Sequence, residues 1–299
     1  MIKKKYIRKL TVSPGRKVSL KRFDTGWAQD DELKNVGKDA LKERAAEILE
    51  ANRATLAESQ ELLWASNQYS LLIVLQGMDT AGKDGIIRHV MAGVNPQGCR
   101  VTSFKVPTSE ETDHNFLWRY YRALPARGEI GIFNRSYYED VLVVRVHPEI
   151  LERQQMPPGK RGNAFWNARY DDINAFERHL VQNGTFILKF FLHISKEEQK
   201  KRLIERLVDK EKYWKFSLSD LAERQYWDEY LNVYERMLYK TSTKTAPWYI
   251  IPADYKWIAR SVIADIISTK IRSLKLHYPE VSDESLQQLE EARQKLADE

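Results

Sequence analysis

A chain of 299 residues with a net charge of +6, from 48 Lys and Arg against 42 Asp and Glu, is long enough for one large α/β domain or two smaller ones around a sizeable core. Its single cysteine, Cys99, excludes an intramolecular disulfide framework and a multi-cysteine metal site, and fits a reducing, cytoplasmic setting. No run approaches the roughly 18 apolar residues of a membrane span and no apolar signal segment follows the early lysines, so neither a membrane-embedded nor an exported chain is expected.

Nine of the first 25 residues are Lys or Arg, against one acid, Asp24. Such a charge run is expected to be a solvated tail, with a polyanion-binding arm as the alternative. Residues 28–66 are rich in Ala, Leu, Glu and Lys, with Ala46, Leu49 and Leu56 at helical intervals, and predict helices leading into the core. Short apolar runs then recur at 71–76, 100–105, 129–134, 185–194 and 247–252, separated by segments long enough for helical crossovers. This alternation predicts an α/β fold with a mainly parallel five-stranded sheet between helices.

One domain is expected to span 1–299: a basic N-terminal segment with helices to residue 66, a core over 67–257, and C-terminal helices over 258–299. The stretch RQQMPPGKRGN, 153–163, reads as an inserted loop. Ile258, Val262, Ile266 and Ile267 predict an amphipathic closing helix, and ESLQQLEEARQKLADE a polar helix lying in solvent, with packing on a partner subunit as the alternative.

The segment LLIVLQGMDTAGKDG, 71–85, runs from a buried-type strand into glycines around a lysine. It resembles the phosphate-loop pattern G-x-x-x-x-G-K-[ST], except that Asp84 stands where a metal-binding hydroxyl is usual. The following helix, with Ile86, Ile87, Val90 and Met91 on one face, would turn its N-terminus and orphan N–H groups toward bound phosphate. Gly77, Ala81, Gly82, Asp84 and Gly85 form the expected cradle. Lys83 would neutralise terminal phosphate oxygens. Asp79, an anion among phosphates, points to metal or nucleophile positioning. Asp84 has a competing explanation, since an acid in a first helical turn stabilises the dipole.

IGIFNRSYYEDVLVVRVHP, 130–148, leads from a strand into Asn134, Arg135, Ser136, Tyr138 and Glu139, at the sheet end where ligands of parallel sheets bind. Arg135 would bind phosphate and Glu139 supply a carboxylate; a purely structural Arg135–Glu139 pair is the alternative. In SKEEQKKRLIERLVDKEKYWKFS, 195–217, Leu203, Ile204 and Leu207 make an apolar stripe, and Arg202, Arg206 and Lys210 line up on another face. This is expected to be a basic lid, about 195–220, rather than a solvated surface. Trp248, Tyr249, Tyr255 and Trp257 are mostly core candidates. The six histidines show no metal-ligand spacing.

These residues describe a phosphotransfer site, with an ATP-dependent nucleoside monophosphate kinase and a noncatalytic polyanion binder as rival readings. Together, GMDTAGKDGIIRHVMAGVNPQG, FNRSYYEDVLVVRVHPE, LKFFLHISKEEQKKRLIERL, WKFSLSDLAERQYWDEY and TSTKTAPWYIIPAD resemble the family-2 polyphosphate kinases. The GKDG and FNRSYYE forms are similar to the class III subgroup. The resemblance implies a P-loop kinase fold with a helical lid, and transfer from inorganic polyphosphate to AMP and ADP, with guanine nucleotides as further acceptors. It implies Mg²⁺ as cofactor, with Asp79 and Glu139 as candidate ligands, and a homodimer or homotetramer, with no nucleic acid and no membrane. It makes Asp79, Lys83, Arg135 and Glu139 catalytic and assigns Arg202, Arg206 and Lys215 to polyphosphate. Asn134 departs from the aspartate of class I members.

Overall fold

The run SLLIVLQG is buried at every position of strand Ser70–Gly77, and its alternate side chains feed two separate cores. Leu72 and Val74 enter one; Leu71, Ile73 and Leu75 enter the other. A strand that is apolar on both faces belongs in the middle of a covered parallel sheet. In the computed structural model, which describes residues 1–26, 35–154 and 156–299, it is the central strand.

The principal elements are α1 (Lys4–Leu10), α2 (Lys38–Ser66), β1 (Ser70–Gly77), α3 (Lys83–Val90), β2 (Cys99–Ser103), β3 (Ile130–Asn134), α4 (Asn163–Gln182), β4 (Thr185–His193), α5 (Lys196–Val208), α6 (Trp227–Thr241), β5 (Trp248–Pro252), α7 (Lys256–Arg272) and α8 (Asp283–Ala297). The sheet order is β2-β3-β1-β4-β5 and every pairing is parallel. Residues from α4 and α6 fill the core on one face; residues from α2, α3 and α7 fill the other. All five predicted strands form, the second ending at Ser103 rather than 105. The part of the predicted N-terminal helices at 28–34 lies outside the described residues.

The basic N-terminus is not a solvated tail. Tyr6, Leu10, Val12 and Leu20 are buried among its charges. Thr11 bridges Tyr249 in antiparallel fashion, and the Val12 amide donates to the Trp248 carbonyl at 2.9 Å. The Leu20 amide donates to Glu235 at 2.7 Å. The segment therefore covers β5, which would otherwise present unpaired backbone groups at the sheet edge.

The closing helix α7 is less amphipathic than its spacing predicts. Ala259, Ile263, Ala264, Asp265 and Ser268 are buried as well as the predicted stripe, because α2 packs over the side turned away from the sheet. No residue of α8 is buried. Among the described residues no helix is long and apolar enough to cross a membrane.

One position breaks the apolar pattern of β4. Lys189 is fully buried and donates to Glu177 at 2.6 Å, to the Thr241 carbonyl at 2.7 Å and to the Tyr138 hydroxyl at 3.0 Å. Tyr137 and Tyr138 also donate to Glu177, at 2.8 and 2.6 Å. All three ammonium protons thus have acceptors, as a buried charge requires. The network holds the turn Tyr137–Val141, which carries Glu139, against α4 and α6.

Candidate active site

At the carboxyl end of β1 the chain must turn sharply, and two glycines allow it. Gly77 has φ of +155°, and a Cβ there would lie 2.9 Å from the Leu192 carbonyl oxygen. Gly82, at φ +107°, precedes α3 and accepts the Ile86 amide at 2.9 Å. Between them Thr80 stands at φ +64°, a costly conformation for a β-branched residue. The loop and the start of α3 form one wall of a cleft of about 500 Å³.

Lys83 curls back over the loop, donating to the carbonyls of Gly77 at 2.7 Å and Met78 at 3.3 Å. Burial, and then the Arg135 guanidinium, push its ammonium below the ordinary lysine range, while Asp79, Glu139 and Asp84 oppose the shift. The three carboxylates favour the charged form of the ammonium against burial.

Arg135, one residue beyond β3, also has a left-handed backbone, at φ +64°. Its Nη2 donates to Asp79 Oδ1 at 2.9 Å and its Nη1 lies 3.7 Å from Glu139 Oε2. Burial alone would lower its pKa, but Glu139 and Asp79 outweigh it and the net shift is upward. Burial raises the Glu139 carboxyl above its ordinary range, with Arg135 and Lys83 acting against it. The Arg135–Glu139 pair exists, and it stands in the site with Asp79 rather than apart from it.

Asn134 donates to Asp84 Oδ1 at 2.8 Å and to Ser103 Oγ at 3.3 Å. Asn134 and Asp84, each unusual for its motif, are therefore partners across the sheet end. Asp79 and Glu139 share one guanidinium. Among the described residues there is no cluster of three or more metal-ligating side chains. Two carboxylates are hard oxygen donors of the kind that an ion such as Mg²⁺ would take.

The far wall is basic. Arg206 donates from Nη1 to Asp220 at 2.9 Å and to the Lys215 carbonyl at 3.1 Å, and Lys215 joins the lining. Among the described residues nine Lys and Arg side chains, the nearly buried Arg202 included, and four Asp and Glu border the cleft. The predicted alignment of Arg202, Arg206 and Lys210 is not observed. The helix ends at Val208, Lys210 lies outside the cleft, and Arg202 is only 5% exposed, turned under the loop.

Several residues in and beneath the cleft escaped the sequence reading, Lys256, Arg260, Asp220 and, under the loop, Gln199 among them. Lys256 and Arg260 arrive one turn apart on α7; burial lowers both, with neighbouring arginines adding to the shift. Asp220 lines the cleft opposite the loop's charges, where burial and then Asp79 raise its carboxyl above the ordinary range. Gln199 donates to the Asp79 carbonyl at 3.2 Å. The i,i+4 pair Lys256 and Arg260 just after the last strand was a usable signal; nothing local marks the other two.

The family model described as Polyphosphate kinase 2 (PPK2) matches residues 39–279. The chain is 51% identical over 256 residues to an ADP-polyphosphate phosphotransferase of Rhodopseudomonas palustris, covering 85% of this chain and 89% of that one. It is 46% identical over 274 residues to an AMP/ADP-polyphosphate phosphotransferase of Meiothermus ruber, covering 92% and 96% respectively. The crystal structure of polyphosphate kinase 2 from Arthrobacter aurescens superposes with a TM-score of 0.81 at 42% identity, over 92% of this chain and 91% of that one.

Proposed function

Because this chain belongs to the polyphosphate kinase 2 family, we propose that it transfers the terminal phosphoryl group of inorganic polyphosphate to AMP and ADP. The observation that carries this reading is the pairing of a phosphate loop with a cleft whose described lining is mainly basic. Polyphosphate carries about one negative charge per phosphate and no base, so a basic channel is the natural means of holding it.

Loop amides and the N-terminus of α3 cradle phosphate oxygens. Lys83 and Arg135 spread the charge that develops on the transferring group, and Arg206 and Lys215 hold the leaving chain. Asp79 orients the attacking nucleotide phosphate, and Glu139 fixes the direction of Arg135. Positioning by these groups supplies most of the acceleration and requires no covalent enzyme intermediate. Asp79 and Glu139 are the residues that would hold Mg²⁺, which when bound neutralises phosphate oxygens in the transition state.

We extend the reading to guanine nucleotides as further acceptors and to reversal at high ATP, since one phosphoanhydride replaces another. A single-domain homodimer or homotetramer in the cytoplasm is the setting we assign. A donor exchange tests the central assignment. With AMP as acceptor, polyphosphate should support turnover that weakens as salt rises; turnover with ATP and none with polyphosphate would overturn it.

A further inference from the structure

A loop that presents its N–H groups to an anion must turn its carbonyls the other way, and those carbonyls need donors. In this chain three successive ones are gripped from α5. Gln199 Nε2 donates to the Asp79 carbonyl at 3.2 Å, and Arg202 Nη1 donates to those of Thr80 at 2.9 Å and Ala81 at 3.2 Å. Arg202 Nη2 reaches the carbonyls of Ala253 at 2.7 Å and Asp254 at 2.9 Å, and Nε donates to Glu198 at 2.9 Å. A guanidinium has five N–H donors, and all five are engaged within the protein. Gln199 is held in turn by Arg224 Nη1 at 2.7 Å. The gripped segment is the one in which Thr80 holds a left-handed backbone.

We propose that Arg202, seconded by Gln199, is a positioning residue that holds the phosphate loop in its anion-binding shape and does not itself meet polyphosphate. Arg202 ties three segments together: α5, the loop after β1, and the turn after β5. Arg206 spends one nitrogen on Asp220 and the Lys215 carbonyl and lines the cleft. Lysine cannot replace Arg202, because an ammonium has three protons and no planar fork to reach carbonyls on two sides.

The test compares Arg202→Gln, Arg202→Lys, Gln199→Ala and Arg206→Gln. It uses steady-state kinetics over a salt series, together with amide hydrogen exchange of the 77–85 segment in the substrate-free protein. Both Arg202 variants should lose about 100-fold in kcat, keep the wild-type salt dependence of KM for polyphosphate, and exchange faster in the loop. Gln199→Ala should show the same exchange change in milder form, and decides the matter should Arg202→Gln not fold. Arg206→Gln should raise KM, flatten its salt dependence and leave loop exchange unchanged. Unchanged loop exchange in Arg202→Gln and Gln199→Ala would overturn the proposal, as would wild-type kcat in Arg202→Lys. The inference rests on the phosphotransfer reading, but exchange needs no turnover. A wild-type protein inactive on polyphosphate would refute the donor assignment and leave the grip on the loop to be judged by exchange alone.

Discussion

The guanidinium of Arg135 donates to the carboxylate of Asp79 at 2.9 Å, joining the turn after β3 to the loop after β1 across neighbouring strands. This pair sets the charge balance of the site, since the same guanidinium also lies 3.7 Å from Glu139. Arg135→Lys keeps the charge but loses the fork. Steady-state assays should show kcat/KM falling about 100- to 1000-fold for this variant, and by a similar factor for Asp79→Asn. Wild-type kcat/KM in both would remove the pair from the mechanism.

Gly77 is the hinge of the loop. With φ at +155° and the Leu192 carbonyl 2.9 Å from any Cβ, Gly77→Ala must displace either the loop or β4. Denaturant titration should show a loss of about 1–3 kcal/mol, and turnover should fall further than stability alone explains. A variant as stable and active as the wild type would mean the turn tolerates a side chain.

The buried Lys189–Glu177 pair holds the turn bearing Glu139 through two tyrosine hydroxyls. Removing one member leaves an uncompensated charge in the core. Lys189→Met should destabilise the protein by about 3–5 kcal/mol in urea unfolding. Adding Glu177→Gln should recover part of that loss, because the stranded carboxylate goes with it. A double variant no more stable than Lys189→Met alone would contradict the uncompensated-charge explanation.

Burial pushes the Cys99 thiol up to about 11. The thiolate is the reactive form, so alkylation by iodoacetamide at neutral pH should be slow and should accelerate as pH climbs toward that value. The sign for stability follows from the same shift. The folded state favours the neutral thiol, so the contribution is complete below the unfolded thiol's pKa and is lost as pH rises through the folded one. Fast alkylation at pH 7 would show the thiol to be less buried than described.

The sheet was legible because its strands carry their own signal: runs such as LLIVLQ are apolar on both faces, and helix-length segments separate them. The loop was legible because its glycines, lysine and aspartates are contiguous. The orientation of Arg202 was not. An RxxxR spacing looks alike whether both side chains face a ligand or one turns under the loop, and the carbonyls that decide it come from residues 80, 81, 253 and 254. The N-terminus misled for a related reason. Its charge density outweighed the buried positions Tyr6, Leu10, Val12 and Leu20, and the groups that Thr11, Val12 and Leu20 meet lie more than two hundred residues away.

The central claim meets its most direct test in nucleotide phosphorylation from long-chain polyphosphate and Mg²⁺, with ADP and AMP as separate acceptors and Lys83→Met in parallel. ADP should yield ATP and AMP should yield ADP, with no product when polyphosphate is left out and both reactions lost in a folded Lys83→Met protein. Full activity in Lys83→Met, or turnover of AMP with ATP as donor and none with polyphosphate, would contradict it.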